Sequence, residues 1–328
     1  MEKQINFNSW VANKFGTDTD TLIKVLEMSP SSQGYIQGAV SELDLKQYLL
    51  NCGYKVWRIK EKPAGGFDEK KPGYKGDFLI QDNDGKYYVV ECKGIKTNAE
   101  FRGGDTNESF VKNITRNQAI NFLKKYINID KEKIYNKGKH SYSRKKSNWE
   151  SKHPGKQYPP FRWTIENPGP DSVDLSSVFS SLTDIKNYVN SLDDYKFSEN
   201  AFRKHDGVYV VMQTHKPSGR TDPETGEHIA APLVSDFSIL AVDLFQRTGK
   251  HQFVFMNPDK ISHSPEFPNH LYQNYIIDII IPGLKDKLNI TYPWYTDIKS
   301  CINETNPRNV EFDISQLDHR ETDDDSEN

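Results

Sequence analysis

The chain has 328 residues, of which 35% are hydrophobic and 27% charged, and its mean hydropathy is −0.78. This composition indicates a polar globular protein, and no apolar run approaches the roughly 20 residues that span a bilayer, so we expect no membrane partner. The N-terminus has no apolar h-region, which argues against a secretory signal. Cys52, Cys92 and Cys301 are too widely spaced for a disulfide framework or a zinc knuckle, which predicts a reducing, cytoplasmic setting.

The formal net charge of −3 conceals two strongly charged segments. Residues 131–163 carry ten Lys or Arg against two Glu, interleaved with six aromatic residues, and this pattern favours contact with a nucleic acid. Residues 131–162 lack clear periodicity, so we interpret them as a long inserted loop, either bound to nucleic acid or simply solvated. Residues 311–328 carry eight acidic residues and one Arg and are predicted to be a disordered tail.

Local patterns predict helices interspersed with strands. In the N-terminal part the predicted elements are a helix over 17–28 that stops at Ser29 and Pro30, a helix over 35–51, a strand over 54–60, and a helix over 109–126. In the C-terminal part they are a helix near 181–192 and apolar runs over 207–213, 237–245, 251–257 and 269–282. Periodicity does not decide whether 237–245 and 269–282 are strands or buried helices. The mixture predicts an α/β fold with a mixed sheet flanked by helices.

The clearest local signal is a β-hairpin around residues 83–85, where two β-prone runs flank an Asp-Gly turn. With Gly85 in the left-handed conformation, this loop places Ile80 opposite Tyr88 and Asp77 opposite Glu91. Directly opposed residues share a face of the sheet, and the strand period of two adds Lys93 to that face. A loop one residue shorter would break this register, so the prediction depends on the turn.

Two carboxylates and an ammonium group at one place suit a particular chemistry. Like charges at contact distance repel unless a cation lies between them, and carboxylate oxygens are preferred ligands of Mg²⁺. Asp77 and Glu91 are therefore predicted metal ligands, and the backbone carbonyl of Cys92 is a further candidate. Lys93 would orient an attacking water or stabilise developing negative charge, as in metal-assisted phosphodiester hydrolysis.

Glu42 lies on the second predicted helix beside Ala39, Leu45 and Leu49, a position that favours partial burial. A buried carboxylate needs a partner, and we expect Glu42 either to reach the metal cluster as an auxiliary acid or to form an ordinary salt bridge.

Asp77 followed by Glu91, Cys92 and Lys93 on the next strand resembles the PD-(D/E)xK nuclease superfamily, with Gly76 in place of the proline. The resemblance covers mainly residues 35–126 and is greatest to type II restriction endonucleases. It implies a restriction-endonuclease-like fold, Mg²⁺ as cofactor, and catalytic roles for Asp77, Glu91, Lys93 and an upstream glutamate, here Glu42. Gln118 resembles a glutamine found in some branches of the superfamily.

The resemblance implies one endonuclease domain over residues 1–310, with a catalytic core at about 30–130, the basic insertion at 131–163, further α/β elements over 164–310, and the tail after 310. Double-stranded DNA is the expected substrate, and a homodimer is expected if the target is palindromic. A cognate DNA methyltransferase is a possible partner. The predicted DNA-binding residues are Lys96, Arg102, Lys112, Lys139, Arg144, Lys145, Lys146 and Lys156.

Two other functions remain open from the sequence. The same core occurs in repair, junction-resolving and phage-defence nucleases, which would not cut at one fixed sequence. A DNA-binding protein without turnover is the second alternative, and it predicts DNA binding that is indifferent to Mg²⁺.

Overall fold

The computed structural model describes residues 6–60, 75–95, 114–166, 168, 173–204, 206–213, 220–229, 231–260, 263–264, 267–271, 275–284, 288, 290, 292–307 and 312–318. Within these ranges no helix is both long and apolar enough to cross a membrane. Cys52, Cys92 and Cys301 are all free thiols.

The helices in these ranges are α1 (Phe7–Phe15), α2 (Thr19–Met28), α3 (Pro30–Asn51), α4 (Arg116–Leu123), α5 (Lys131–Lys152), α6 (Leu182–Ser191), α7 (Glu199–Arg203), α8 (Phe245–Thr248) and α9 (Ile298–Asn303). The strands are β1 (Lys55–Arg58), β2 (Phe78–Gln81), β3 (Tyr87–Gly94), β4 (Val210–Gln213), β5 (Arg220–Thr221), β6 (His228–Ile229), β7 (Ile239–Asp243), β8 (Phe253–Met256), β9 (Ile276–Ile280) and β10 (Trp294–Tyr295).

The centre of the fold is a six-stranded mixed sheet in the order β1-β2-β3-β7-β8-β10. Neighbouring strands are antiparallel except β3 and β7, which run parallel. Both apolar runs that the sequence left open, 237–245 and 269–282, contain strands, β7 and β9. Their Ile and Val residues suit strands that are buried on both faces. The predicted α/β class with a helix-flanked mixed sheet is confirmed.

Three apolar clusters lie between the layers of the fold and pack them together. Leu45 and Leu49 of α3, together with Ile298 and Cys301 of α9, pack against one face of the six-stranded sheet. The other face packs against the two-stranded sheet of β4 and β9. The outer side of that small sheet packs against α4 and α6. The six-stranded sheet is therefore covered by helices directly on one face and through an intervening sheet on the other.

Helix α3 begins earlier than the sequence predicted. Ser29 and Pro30 do end α2, but they also begin the next helix, since the Ser29 side chain accepts a hydrogen bond from the backbone N–H of Ser32 and Pro30 occupies the first helical turn. Proline is tolerated there because a first-turn N–H has no partner within the helix. α3 consequently runs for 22 residues.

The basic segment is a helix, so the loop predicted over 131–162 is wrong for residues 131–152. Asp130 caps it by accepting a hydrogen bond from the N–H of Lys133 at 2.9 Å. Its least exposed positions include Gly138 and Trp149, and a Cβ atom on Gly138 would lie 2.5 Å from the Trp163 ring. A helix whose buried residues are Gly138 and Trp149 has a weak hydrophobic period, so the sequence pattern does not indicate it.

Residues 312–318 also differ from the predicted disordered tail. Leu317 is 2% exposed and forms an antiparallel bridge with Ile59. Phe312 contacts the rings of Trp57 and Tyr87 at centroid distances of 5.1 and 6.0 Å. This segment closes the outer edge of β1, where an exposed strand would otherwise offer unpaired backbone groups.

Candidate active site

Over the paired residues of β2 and β3 the hairpin has the register that the sequence predicted, whereas the pairing of Asp77 with Glu91 lies beyond these residues and stays a prediction. Ile80 lies opposite Tyr88 and Phe78 opposite Val90, and the N–H of Asp82 donates to the carbonyl of Lys86 at 3.0 Å. Gly85 has a φ of 82°, a conformation that favours glycine and allows a three-residue loop. The turn therefore fixes which residues of β2 and β3 face each other.

Asp77 lies immediately before β2 and is held against β3 by two hydrogen bonds. Its N–H donates to the carbonyl of Val90 at 2.9 Å, and its Oδ2 accepts from the N–H of Cys92 at 2.6 Å. The preceding residue must be small here, because a Cβ atom on Gly76 would lie 2.7 Å from Val89 Cγ1 and 3.0 Å from the Val90 carbonyl oxygen. Gly76 thus permits the close approach that positions the Asp77 carboxylate.

Glu91 and Lys93 share the sheet face that is turned away from α3. They pair in register with Leu240 and Val242, which belong to the apolar cluster on that side, whereas Cys92 lies in the cluster beneath α3. The side chains of Glu91 and Lys93 form a close ion pair and are 16% and 25% exposed. The predicted alternation along β3 is therefore confirmed.

The pKa values of Glu91 and Lys93 both differ from the usual values of these side chains. Burial raises the pKa of Glu91, the Lys93 ammonium opposes this effect and the negative charge of Asp77 adds to it, with a net pKa of about 7. Burial also disfavours the charged form of Lys93, but the carboxylates of Glu91 and Asp77 outweigh that effect and raise the pKa of Lys93 above its usual value. The site thus holds two acidic groups, one of which, Glu91, retains its proton to a higher pH than an ordinary glutamic acid.

Cys92 contributes no reactive thiol to this site. Burial raises its pKa well above the usual range, and the charges of Asp77, Glu42 and Asp243 raise it further. A protonated, buried thiol is neither a nucleophile nor a metal ligand. Any contribution from Cys92 must come from its backbone, as the sequence analysis proposed for its carbonyl.

Glu42 forms the salt bridge that was the alternative expectation for it. Its Oε2 lies 2.7 Å from Nη2 of Arg58, a residue of β1 that pairs with Phe78. Phe78 faces α3, so Glu42 and Arg58 lie on the helix side of the sheet and Glu91 on the other. In the described part of the chain, no three His, Cys, Asp or Glu side chains are arranged to hold a metal ion.

Sequence reasoning missed an electrostatic neighbour of Glu91. Arg220 on β5 favours the charged form of Glu91, and its Nε lies 3.2 Å from the buried Asp236 carboxylate. Lys75 approaches the same carboxylate at 3.4 Å. The sequence shows only that Asp236 directly precedes the apolar run 237–245. This does not identify the residues that contact its carboxylate.

A second missed cluster lies under α3 at the end of β7. Asp243 is 2% exposed and accepts hydrogen bonds from the Ser41 hydroxyl at 2.5 Å and from the N–H of Phe245 at 3.0 Å. Nδ1 of His251 lies 2.7 Å from the same carboxylate and 3.5 Å from Asp44. The cluster ties α3 to the carboxyl end of β7, which is opposite Gly94, next to Lys93.

The predicted DNA-binding residues fall into three groups. Lys96, Arg102 and Lys112 lie outside the described residues. Lys139, Arg144 and Lys156 are exposed, and the Lys139 ammonium lies over the Tyr135 ring. Lys145 pairs with Glu227 at 2.8 Å and lies over Phe267, while Lys146 approaches Glu150 at 3.8 Å. The last two residues are therefore engaged within the protein.

Gln118 has a structural role that the sequence analysis did not assign. Its side chain accepts a hydrogen bond from the N–H of Thr115 at 2.8 Å, and Thr115 caps the N–H of Gln118 in return. This reciprocal capping box begins α4.

The chain was also compared with known proteins. No family model matches it, and searches of curated proteins and of solved structures found no match either.

Proposed function

We propose that this protein is a Mg²⁺-dependent endonuclease that hydrolyses phosphodiester bonds of double-stranded DNA. The observation that carries the proposal is the close ion pair of Glu91 and Lys93 on one sheet face, within electrostatic reach of Asp77, with the pKa of Glu91 raised to about 7. A carboxyl group held where its own charge is unfavourable, beside a second carboxylate, is a group positioned for a cation or for proton transfer.

The donor set fits Mg²⁺. This ion binds through one or two carboxylates, keeps several waters and takes phosphate oxygens of the substrate, so a site of three protein acids is not required. Asp77 and Glu91 would supply the two carboxylates, and the Cys92 carbonyl lies between Glu91 and Lys93 on the same strand. Glu42, paired with Arg58 across the sheet, is not part of this proposed set.

Each side chain has a defined task in the proposed reaction. Bound Mg²⁺ would supply Lewis acidity that activates water and offsets the charge of the scissile phosphate. Glu91 must first release its proton, since only its carboxylate can be a ligand. Asp77 is held in one orientation by the Cys92 N–H. The Lys93 ammonium, which pairs with Glu91, would donate a hydrogen bond to the attacking water or to a phosphate oxygen.

The solvent face of α5 supports duplex DNA as the substrate. Lys133, Lys137, His140 and Arg144 are all exposed and follow one another at spacings of four, three and four residues. This spacing places them on a single helical stripe about 17 Å long. No acidic residue lies on the stripe, and such a row of basic side chains suits the phosphates of a nucleic acid backbone.

The order of elements supports the nuclease core, which restriction, repair, junction-resolving and defence enzymes share. α3 is followed by three antiparallel strands, and β7 then joins β3 in parallel. We propose a type II restriction endonuclease that acts in the cytoplasm, where its three free thiols persist, alongside a methyltransferase that protects host DNA. Repair, junction-resolving and defence nucleases would hydrolyse phosphodiester bonds in the same way. They would differ from a restriction enzyme in their cleavage pattern.

The test is incubation of plasmid DNA with wild type and with Asp77→Ala, in Mg²⁺ or in EDTA. Asp84→Asn is the matched control, because this carboxylate lies in the same hairpin but is 74% exposed. Discrete fragments from wild type and the control, dependent on Mg²⁺ and lost in Asp77→Ala, are expected. A smear of fragments would support phosphodiester hydrolysis and contradict cleavage at a fixed sequence. Intact plasmid with folded, DNA-bound protein would refute the nuclease and leave a binding protein.

A further inference from the structure

Two basic side chains converge on one buried carboxylate beside the proposed active site. Nε of Arg220 lies 3.2 Å from Oδ2 of Asp236, and Nζ of Lys75 lies 3.4 Å from Oδ1 of the same side chain, which is 2% exposed. Lys75 is two residues before Asp77, and the charge of the Arg220 guanidinium acts on Glu91. The two cations therefore lie close to the residues proposed to bind Mg²⁺.

Asp236 has a structural role that does not require both cations. It lies in the turn that leads into β7, where its Oδ2 accepts a hydrogen bond from the N–H of Leu233 at 3.0 Å. The ammonium of Lys75 lies at the other carboxylate oxygen and matches its charge. A buried carboxylate is stabilised once it is both paired and hydrogen-bonded. Arg220 therefore brings a second positive charge to a carboxylate that is already compensated.

The β5–β6 hairpin that carries Arg220 is anchored at its turn. Oδ1 of Asp222, a residue that is 2% exposed, accepts hydrogen bonds from the N–H groups of Glu224 and Thr225 at 3.0 and 2.7 Å. Its Oδ2 lies 3.3 Å from Nε2 of His270, whose side chain is fully buried. Since Arg220 is two residues from Asp222, the backbone that carries the guanidinium has a fixed position.

The same hairpin also contacts the basic helix α5. Glu227, which follows the turn of the hairpin, pairs with Lys145 of α5 at 2.8 Å. The Lys145 ammonium lies over the ring of Phe267 as well, which fixes the position of this ion pair. The β5–β6 hairpin therefore contacts both the helix with the proposed DNA-binding stripe and, through Arg220, the surroundings of the proposed metal ligands.

The charges around the proposed metal site favour a phosphate group as a further ligand. Three acidic side chains balance three basic ones in this region, namely Asp77, Glu91 and Asp236 against Lys75, Lys93 and Arg220. A bound Mg²⁺ would add two positive charges, which the phosphates of a DNA backbone can offset. Arginine suits phosphate especially well, because its planar guanidinium presents five N–H donors in a fork. Metal and phosphate are therefore expected to bind together.

We infer that Arg220 binds a backbone phosphate of the duplex at the site of cleavage, and that Asp236 is the positioning residue that orients its guanidinium. The side chain of Arg220 is 35% exposed although it is paired, so a phosphate group can approach it. A cation that is oriented before the substrate arrives loses less conformational freedom on binding. This inference rests on the proposed function, since the phosphate belongs to the DNA that the site would hydrolyse.

Two measurements test the contact: binding of a short fluorescent duplex in Ca²⁺ at several salt concentrations, and single-turnover cleavage of the same duplex in Mg²⁺. In Arg220→Met, the slope of the logarithm of the binding constant against the logarithm of the salt concentration should decrease in magnitude by about one, and cleavage should slow by about 100-fold. Lys86→Met is the matched control, because Lys86 also pairs with an aspartate, at 3.2 Å, but lies beside the exposed turn of the β2–β3 hairpin. This control should keep the slope and the rate of wild type.

Two conservative variants separate a phosphate contact from an ion pair that only stabilises the fold. Arg220→Lys keeps the charge and loses the planar fork, so the salt slope should equal that of wild type while cleavage slows by about tenfold. Asp236→Asn should also keep the slope, with cleavage about tenfold slower because Arg220 is no longer oriented. A purely structural ion pair would lower the melting temperature of these variants and leave their cleavage rates unchanged below it. If Arg220→Met does not fold, wild-type cleavage rates in both conservative variants would overturn the inference.

The outcomes distinguish this inference from the nuclease proposal. If wild type cleaves the duplex and Arg220→Met has the same slope and rate, the Arg220 contact alone is overturned. If wild type binds the duplex without cleaving it, the nuclease is refuted; a smaller slope in Arg220→Met would still support the phosphate contact, and an equal slope would overturn it. A wild type without affinity for the duplex would overturn both.

Discussion

The raised pKa of Glu91 leads to a pH-dependent affinity for metal. Only the carboxylate can bind a cation, so the proton on Glu91 competes directly with Mg²⁺. Burial and the charge of Asp77 raise the pKa of Glu91 to about 7 from an ordinary value near 4.5. The affinity for metal should therefore rise with pH across the neutral range, rather than below pH 5.

The magnitude follows from the fraction of Glu91 that is deprotonated. With a pKa of about 7, roughly 10% is ionised at pH 6 and roughly 90% at pH 8, so the apparent association constant should change about tenfold between the two. With an ordinary pKa, more than about 95% would be ionised at both pH values and the change would be negligible.

Isothermal titration of the protein with Mg²⁺ or Mn²⁺ at pH 6, 7 and 8 measures this dependence directly. Asp84→Asn should show the same tenfold change, because its carboxylate lies in the exposed turn of the hairpin. Glu91→Gln should bind weakly at every pH, since no ionisable ligand remains at that position. An affinity that is flat from pH 6 to 8 in wild type would refute the role given to Glu91.

Three further outcomes follow from the structure. The free energy of unfolding of wild type, measured by urea titration, should fall by up to about 3 kcal/mol from pH 4.5 to 8, because the folded state holds the Glu91 proton more tightly than the unfolded state. The free energy of unfolding of Glu91→Gln should not show this pH dependence. Gly76→Ala should destabilise the fold by about 1–3 kcal/mol in urea titrations and slow cleavage, because its Cβ would overlap Val89. Arg144→Ala should reduce the slope of the logarithm of the DNA-binding constant against the logarithm of the salt concentration by about one. Lys145→Ala, which breaks the pair with Glu227, should instead lower the melting temperature of the protein.

The central hairpin could be predicted from the sequence because its determinants are local. The Asp-Gly turn fixes the loop length, and the period of two then places Glu91 and Lys93 on one face without reference to the rest of the chain. The same logic could not reveal that β7 pairs with β3. About 145 residues separate Lys93 from Ile239, and strand pairing at that distance leaves no local pattern.

Prediction failed where burial depends on partners from distant segments. The sequence predicts a loop where α5 lies, because the buried Gly138 packs against Trp163, a contact that hydrophobic periodicity does not register. Glu42 was correctly expected to need a partner, but the choice between the metal cluster and a salt bridge depends on where β1 places Arg58. Residues 312–318 were read as tail from their charge, although Phe312 and Leu317 pack beside β1.

The central claim is that Asp77 and Glu91 form a metal-dependent hydrolytic site, and the most direct measurement is the single-turnover cleavage rate of duplex DNA in Mg²⁺. Glu91→Gln should reduce this rate by at least about 100-fold relative to wild type and to Asp84→Asn, while all three proteins bind the duplex with equal affinity in Ca²⁺. Equal cleavage rates for Glu91→Gln and wild type, at equal DNA binding, would contradict the account.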